Sequence, residues 1–150
     1  MSLVEQALEY ASRGWYVFPC RGKVPLTHNG FKEASIDPVK INEWWTEWPD
    51  ANIAVATGKI SGIIVVDVDV KKGVGGDESL FVLEQKFGKL PETLRSVTPS
   101  GGSHYFFRQP EGLDIPCKVG IEKGIDIRGD GGYVILPPSK IGKNVYGWDS

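Results

Sequence analysis

The period of apolar and polar residues changes several times along the chain, and each change marks an element. Val4, Ala7, Leu8 and Ala11 recur at helical spacing, which predicts an amphipathic helix from about Leu3 to Ser12, ending near Gly14. Trp15 to Phe18 reads as a first strand, stopped by Pro19. Asp37-Pro38 is a helix start, with Asp as cap and Pro in the first helical position. Ile41, Trp44, Trp45 and Trp48 then follow at i, i+3, i+4 and i+7, a stripe that suits core packing better than a base-stacking platform. Ile53 to Thr57 is a short strand, and Gly58 begins a turn.

The central stretch runs from Gly62 to Lys71. Ile63, Ile64, Val65 and Val66 are apolar without alternation, which predicts a strand buried on both faces. From Asp67 the pattern alternates strictly, so Asp67 and Asp69 share one face, about 7 Å apart, and Val68 and Val70 share the other. A glycine-rich loop leads to a helix capped by Asp77, with Leu80, Leu83 and Phe87 inward and Gly88 as its stop. Thr93 to Thr98 and His104 to Arg108 are strands joined through Gly101-Gly102, read as a two-residue turn. Gly124 to Gly129 repeats the acidic-strand device: Ile125 and Ile127 enter the core while Asp126 and Arg128 share the polar face. The turn Gly129 to Gly132 then makes a hairpin with the buried strand Tyr133 to Leu136, closed by Pro137-Pro138.

Composition narrows the class. The 150 residues, 41% hydrophobic and 24% charged, describe one ordinary globular domain over 1–150. A net charge of −2 supplies no global attraction for nucleic acid, so any such contact depends on a local patch, a metal or another part of the protein. Cys20, Cys117 and two histidines are too few for a disulfide framework or a zinc knuckle. A reducing cytoplasm is the expected compartment, and no segment has the length of a membrane span or the form of a signal peptide.

The candidate chemistry is carboxylate and cation. Two carboxylates on one face repel each other unless a cation lies between them, and hard oxygen donors without cysteine favour Mg²⁺ or Mn²⁺ over zinc. The same pattern also fits a strand simply emerging into solvent. An EF-hand fails, because Lys71 and Lys72 replace a ligand and the required glycine. The loop from Lys71 to Gly76 matches neither the dinucleotide nor the phosphate-loop fingerprint. Arg21, Lys23 and Lys32 lie in a turn-rich segment that either grips phosphates or is a solvated loop. Around Gly101 and Gly102 the backbone N–H groups and the Ser100 and Ser103 hydroxyls are potential phosphate donors, with His104 just after the turn. Asp126 is a third carboxylate that completes a metal site if it meets Asp67 and Asp69.

The order Asp67-x-Asp69, then a small residue two places before His104, then Ile125-Asp126, resembles the archaeo-eukaryotic primase superfamily. It is most similar to the primase-polymerase N-terminal domain of plasmid, phage and prophage replication proteins. Gly22-Lys23-Val24-Pro25, Trp44-Trp45, Thr98-Pro99-Ser100-Gly101-Gly102, Ile127-Arg128-Gly129 and Pro137-Pro138-Ser139 carry the likeness further, over about residues 7–139. The resemblance implies an α+β catalytic core in which an RRM-like antiparallel sheet packs against helices, joined to a small N-terminal α/β unit. It implies template-directed nucleotidyl transfer by a DNA primase/polymerase on a two-metal Mg²⁺ or Mn²⁺ site held by Asp67, Asp69 and Asp126. His104 takes the position that contacts the phosphates of the incoming nucleotide, helped by the turn from Ser100 to Ser103. Phosphate contacts by Lys23, Lys32 and Arg128 extend that assignment from their charge alone. The expected partners are nucleoside triphosphates, single-stranded or primed DNA and a C-terminal helicase domain, with no membrane. The chain stops soon after the third motif, as a catalytic module truncated at its C-terminus would. Some relatives carry a zinc-bearing insertion, for which this sequence has no site. A metal-dependent phosphodiesterase or nuclease using the same carboxylates, and a non-catalytic nucleotide- or DNA-binding module of the same fold, are the competing classes.

Overall fold

A computed structural model describes residues 1–149 and shows an α+β fold. In chain order the elements are α1 (Leu3–Ser12), β1 (Val17–Arg21), β2 (Val24–Pro25), α2 (Pro38–Glu47), β3 (Asn52–Ala56), β4 (Ile63–Val68), α3 (Gly76–Phe87), β5 (Leu94–Val97), β6 (Ser103–Arg108), β7 (Lys118–Glu122), β8 (Ile125–Arg128), β9 (Tyr133–Leu136), β10 (Lys140–Ile141), β11 (Asn144–Val145) and β12 (Gly147–Asp149). They build a four-stranded sheet, β2-β1-β3-β9, and a six-stranded sheet, β12-β5-β6-β4-β8-β7, with β10 and β11 as a small hairpin between β9 and β12. Every pairing between these strands is antiparallel.

Local chemistry explains the first half. The Ser2 hydroxyl accepts from the Glu5 N–H while the Glu5 carboxylate accepts from Ser2 N–H, a reciprocal cap that satisfies two donors at the start of α1. Asp37 Oδ1 accepts from Val39 N–H and Pro38 opens α2. Ile41, Trp44 and Trp45 are buried, so the tryptophan stripe is core, and Trp45 Nε1 donates to the Ala51 carbonyl at 3.1 Å. α1 rests on β1 and β3, and α2 packs on β1 and α1, making the small N-terminal α/β unit, which borrows β9 from the far end of the chain.

An aromatic seam joins the two sheets. Trp15 stacks on Tyr10 (5.6 Å, 17°) and on Phe106 of β6 (5.6 Å, 10°), while Trp148 of β12 lies against Phe106 at 5.3 Å. Trp148 Nε1 donates to Tyr10 Oη, and that hydroxyl donates to the Pro137 carbonyl at 2.5 Å. Their ring faces bury against each other while their polar tips find partners.

Several expectations are corrected. Pro19 does not stop the first strand but lies inside β1, opposite Ile53; its missing N–H faces the two-residue β2, where little ladder is lost. Only one face of β4 is fully buried, at Ile63 and Val65, while Ile64 and Val66 are half-covered. The cap of α3 is Gly75, and Asp77 sits in the first turn. Leu80 and Leu83 are half-buried, but Phe87 is 82% exposed because the helix docks by its N-terminal end on β4 and β8 and overhangs the sheet beyond it. The largest difference concerns residues 129–132, which do not form a hairpin. They carry the chain from β8 in one sheet to β9 in the other, and the Thr57 hydroxyl donates to the Gly129 carbonyl at 2.7 Å across the crossing. The hairpin partner of β8 is instead the preceding β7, a short strand exposed along its whole length.

Candidate active site

Pairing in the six-stranded sheet places Asp67 directly opposite His104 on one side and Asp126 on the other. Ser96 lies opposite His104, and Trp148 opposite Ser96. Directly paired residues of antiparallel strands project to the same face, so these five side chains form one row across β12, β5, β6, β4 and β8. The row faces the four-stranded sheet. Asp69 follows just past the end of β4, where its backbone is clasped by two glycines. Gly76 N–H donates to the Asp69 carbonyl, and Asp69 N–H donates to the Gly124 carbonyl. A Cβ on Gly76 would press on Asp69 and on Gly124 O at 2.7 Å, so no larger residue fits this three-way contact.

The carboxylates are held by cations and N–H groups. His104 Nε2 lies 3.4 Å from Asp67 Oδ1, and Arg128 Nη2 lies 3.8 Å from Asp67 Oδ2 and 3.2 Å from Asp126 Oδ2. Asp126 Oδ1 accepts the Gly120 N–H at 2.7 Å, at the irregularity where β7 slips against β8. Asp69 Oδ1 accepts Lys71 N–H at 3.0 Å, with Lys71 Nζ at 3.4 Å from Oδ2. Burial pushes the Asp67 carboxyl up, but the His104 hydrogen bond, then the charges of His104, Arg128 and Lys23, outweigh it and leave Asp67 below its ordinary range. His104 is 6% exposed, and its Nδ1 has no partner among the described residues.

A cleft of about 550 Å³ opens on this row between the two sheets. Asp67, Asp69, His104, Arg128, Lys71 and Ser100 line it from the six-stranded side, and Lys23, Tyr133 and Ile135 from the other. A recess of about 640 Å³ lies elsewhere, lined by Arg21, Trp48, Asn52 and Lys140 among others. There Asn52 Nδ2 already donates to the Gly22 and Lys140 carbonyls, and no carboxylates pair across strands, so the cleft is the candidate site.

The predicted site residues separate into two groups. Asp67, Asp69, His104, Arg128, Lys23 and Ser100 meet at the cleft, and Asp126 stands one strand out from Asp67, turned toward Gly120 and Arg128. Lys32 is exposed in the 3₁₀ turn Gly30–Glu33 and does not line the cleft. Ser103 faces the opposite side of the sheet, buried, where its Oγ accepts from Arg95 Nε at 2.9 Å; strand alternation takes it away from His104. Gly101 and Gly102 do not form a two-residue turn. Gly101 N–H donates to the Thr98 carbonyl and Thr98 N–H to the Gly102 carbonyl, so Pro99, Ser100 and Gly101 make the loop, with Gly101 at φ +88°. Gly102 is required for packing, since a Cβ there would strike the Val68 carbonyl.

Residue types alone gave no signal for Lys71, Cys117, Tyr133, Ile141 and Tyr146, which also line the cleft. The two thiols differ sharply. Cys20 is fully buried and its thiol is pushed up to about 12 by burial, whereas Cys117 is half-buried at the cleft. Thiolate is the reactive form. An alkylating reagent applied to the folded protein is therefore expected to modify Cys117 and spare Cys20, read by mass after digestion. Equal labelling of both cysteines would contradict this packing.

The sequence model of the bifunctional DNA primase/polymerase N-terminal family matches residues 7–150, essentially the whole chain. The chain belongs to that family. No curated protein matches it. A Prim-Pol domain carries a DNA primase/polymerase-type function with nucleotide and DNA as its substrates, and the α+β architecture agrees with that membership. Among the described residues no helix is long and apolar enough to cross a membrane.

Proposed function

We propose that the cleft carries out metal-dependent nucleotidyl transfer, adding nucleotides from triphosphates to a DNA-paired strand. The single observation that carries this reading is the row in which Asp67 faces Asp126 and His104 on its two neighbouring strands, with Asp69 two residues further along. Among the described residues no three or more His, Cys, Asp or Glu side chains stand grouped so that they could hold a metal ion. The donor type suits hard divalent cations all the same: Asp67 and Asp69 line the cleft, Asp126 is paired beside Asp67, and Arg128 lies between Asp67 and Asp126, supplying positive charge where the carboxylates meet. Asp67, Asp69 and Asp126 would hold Mg²⁺ or Mn²⁺. A pair of such ions held there would supply Lewis-acid activation of an attacking 3′-hydroxyl and charge neutralisation of the triphosphate.

The chain's own groups supply the remainder. His104, fixed between Asp67 and the rings of Phe106 and Tyr146, presents its imidazole to the phosphates. Lys23 and Lys71 both line the cleft and would attract the triphosphate tail. Ser100 offers a hydroxyl at the rim. Positioning and charge neutralisation account for most of phosphoryl-transfer catalysis, and a carboxylate set on paired strands provides rigid positioning.

Incubation with Mn²⁺, a primed template and nucleotides tests the proposal: extension of the primer is expected. Shortening of the strand would make the same carboxylates a nuclease, and binding without turnover would leave a non-catalytic module. Arg128 gives a separate readout. A guanidinium lodged between Asp67 and Asp126 competes with a cation for both carboxylates, so Arg128→Gln is expected to tighten Mn²⁺ binding about fivefold to tenfold while weakening triphosphate binding. Calorimetric titration of each ligand separates the two effects. Unchanged Mn²⁺ affinity would remove Arg128 from the metal position.

A further inference from the structure

Besides Asp67, Asp69, Lys23, Lys71 and Arg128, the cleft is lined by Ile135, Ile141, Tyr133 and Tyr146. Two of these carry hydroxyls. Tyr133 Oη is committed, donating to the Lys23 carbonyl at 2.8 Å. Tyr146 Oη makes no hydrogen bond among the described residues, although the residue is only 2% exposed.

Tyr146 is also rigidly placed. Its N–H donates to the Ser139 carbonyl at 2.9 Å, and the next residue begins β12, paired with β5. Its ring lies 6.1 Å from the His104 ring, inclined by 33°. Burial, then the nearby Asp67 carboxylate, pushes its hydroxyl up to about 12, so it stays protonated at neutral pH as both donor and acceptor.

Nucleotide chemistry connects these facts. The sugar is joined to the α-phosphorus through only O5′ and C5′, so with the α-phosphate at Asp67 and His104 the sugar lies within reach of Tyr146, whose ring adjoins that of His104. A largely desolvated hydroxyl with no protein partner is a costly group to cover unless the ligand pairs with it. We infer that Tyr146 is a specificity-determining residue whose hydroxyl pairs with the ribose 2′-hydroxyl, favouring ribonucleotides over deoxyribonucleotides. This rests on the proposed nucleotide reading of the cleft. A site that hydrogen-bonds a substrate hydroxyl discriminates against the analogue lacking it, because its own group is left unpaired.

The test is equilibrium binding of ATP and dATP, with Mn²⁺, to the full chain and to Tyr146→Phe. The variant is expected to lose about fivefold to tenfold in affinity for ATP and little for dATP. Its melting temperature should not move, since the oxygen removed holds nothing in the protein. An unchanged ATP/dATP ratio overturns the inference while leaving the nucleotide site intact. So does an equal loss for both, which contact with the shared 3′-hydroxyl would give. Wild-type protein that binds neither nucleotide overturns the nucleotide reading, and this inference with it.

Discussion

Asp67→Asn is expected to lower primer extension by at least about 100-fold while leaving the protein folded. Removing even an outer-shell partner of a metal ligand costs about 10–100-fold, and Asp67 is the central member of the row, paired on both sides. Asparagine has nearly the same shape but lacks the charge that divalent ions need. A second readout comes from acid. The folded carboxyl lies below its ordinary value of 3.8, so its ionised form favours the native state above that value, and this contribution disappears as pH falls through the lower folded value. The variant should therefore be less stable than the wild-type protein at neutral pH, with the gap closing in strong acid, as followed by urea unfolding at a series of pH values. Extension at wild-type rates by the variant would remove Asp67 from the chemistry.

Phe106→Ala is expected to destabilise the fold by about 3–5 kcal/mol, the range for emptying a fully packed aromatic site. Phe106 is buried between Trp15 and Trp148, one from each end of the chain, and no neighbouring element is free to collapse into the space. For a domain of this length the loss lowers the melting temperature by on the order of 10 °C. The same rings hold the six-stranded sheet against the N-terminal unit, whose Lys23 and Tyr133 form the opposite wall of the cleft. Nucleotide affinity should fall along with stability. A loss below about 1 kcal/mol would show that the seam is not what joins the sheets.

The sequence was most legible where local physics governs. Ser2, Asp37 and Pro38 start helices by hydrogen bonds made within a few residues, and the period of Ile41, Trp44 and Trp45 identifies a buried face whatever it packs on. The alternation at Asp67 and at Asp126 put each carboxylate on a polar face, and the ordered motifs pointed to the primase-polymerase family that the whole chain matches. Failures came where a turn depends on distant partners. Residues 129–132 have hairpin composition, yet Thr57 and the free edge of β3 draw the chain into the other sheet.

What the chain determines alone is thus its elements, its polar faces and its family, because caps, periods and motifs are short-range properties. Tertiary structure alone decided that Asp67 faces both Asp126 and His104, that Arg128 bridges two carboxylates, that Ser103 turns away, and that Tyr146 lines the cleft. Those facts follow from strand register and from how two sheets meet, and register is fixed by summed packing over the entire core rather than by any stretch of residues.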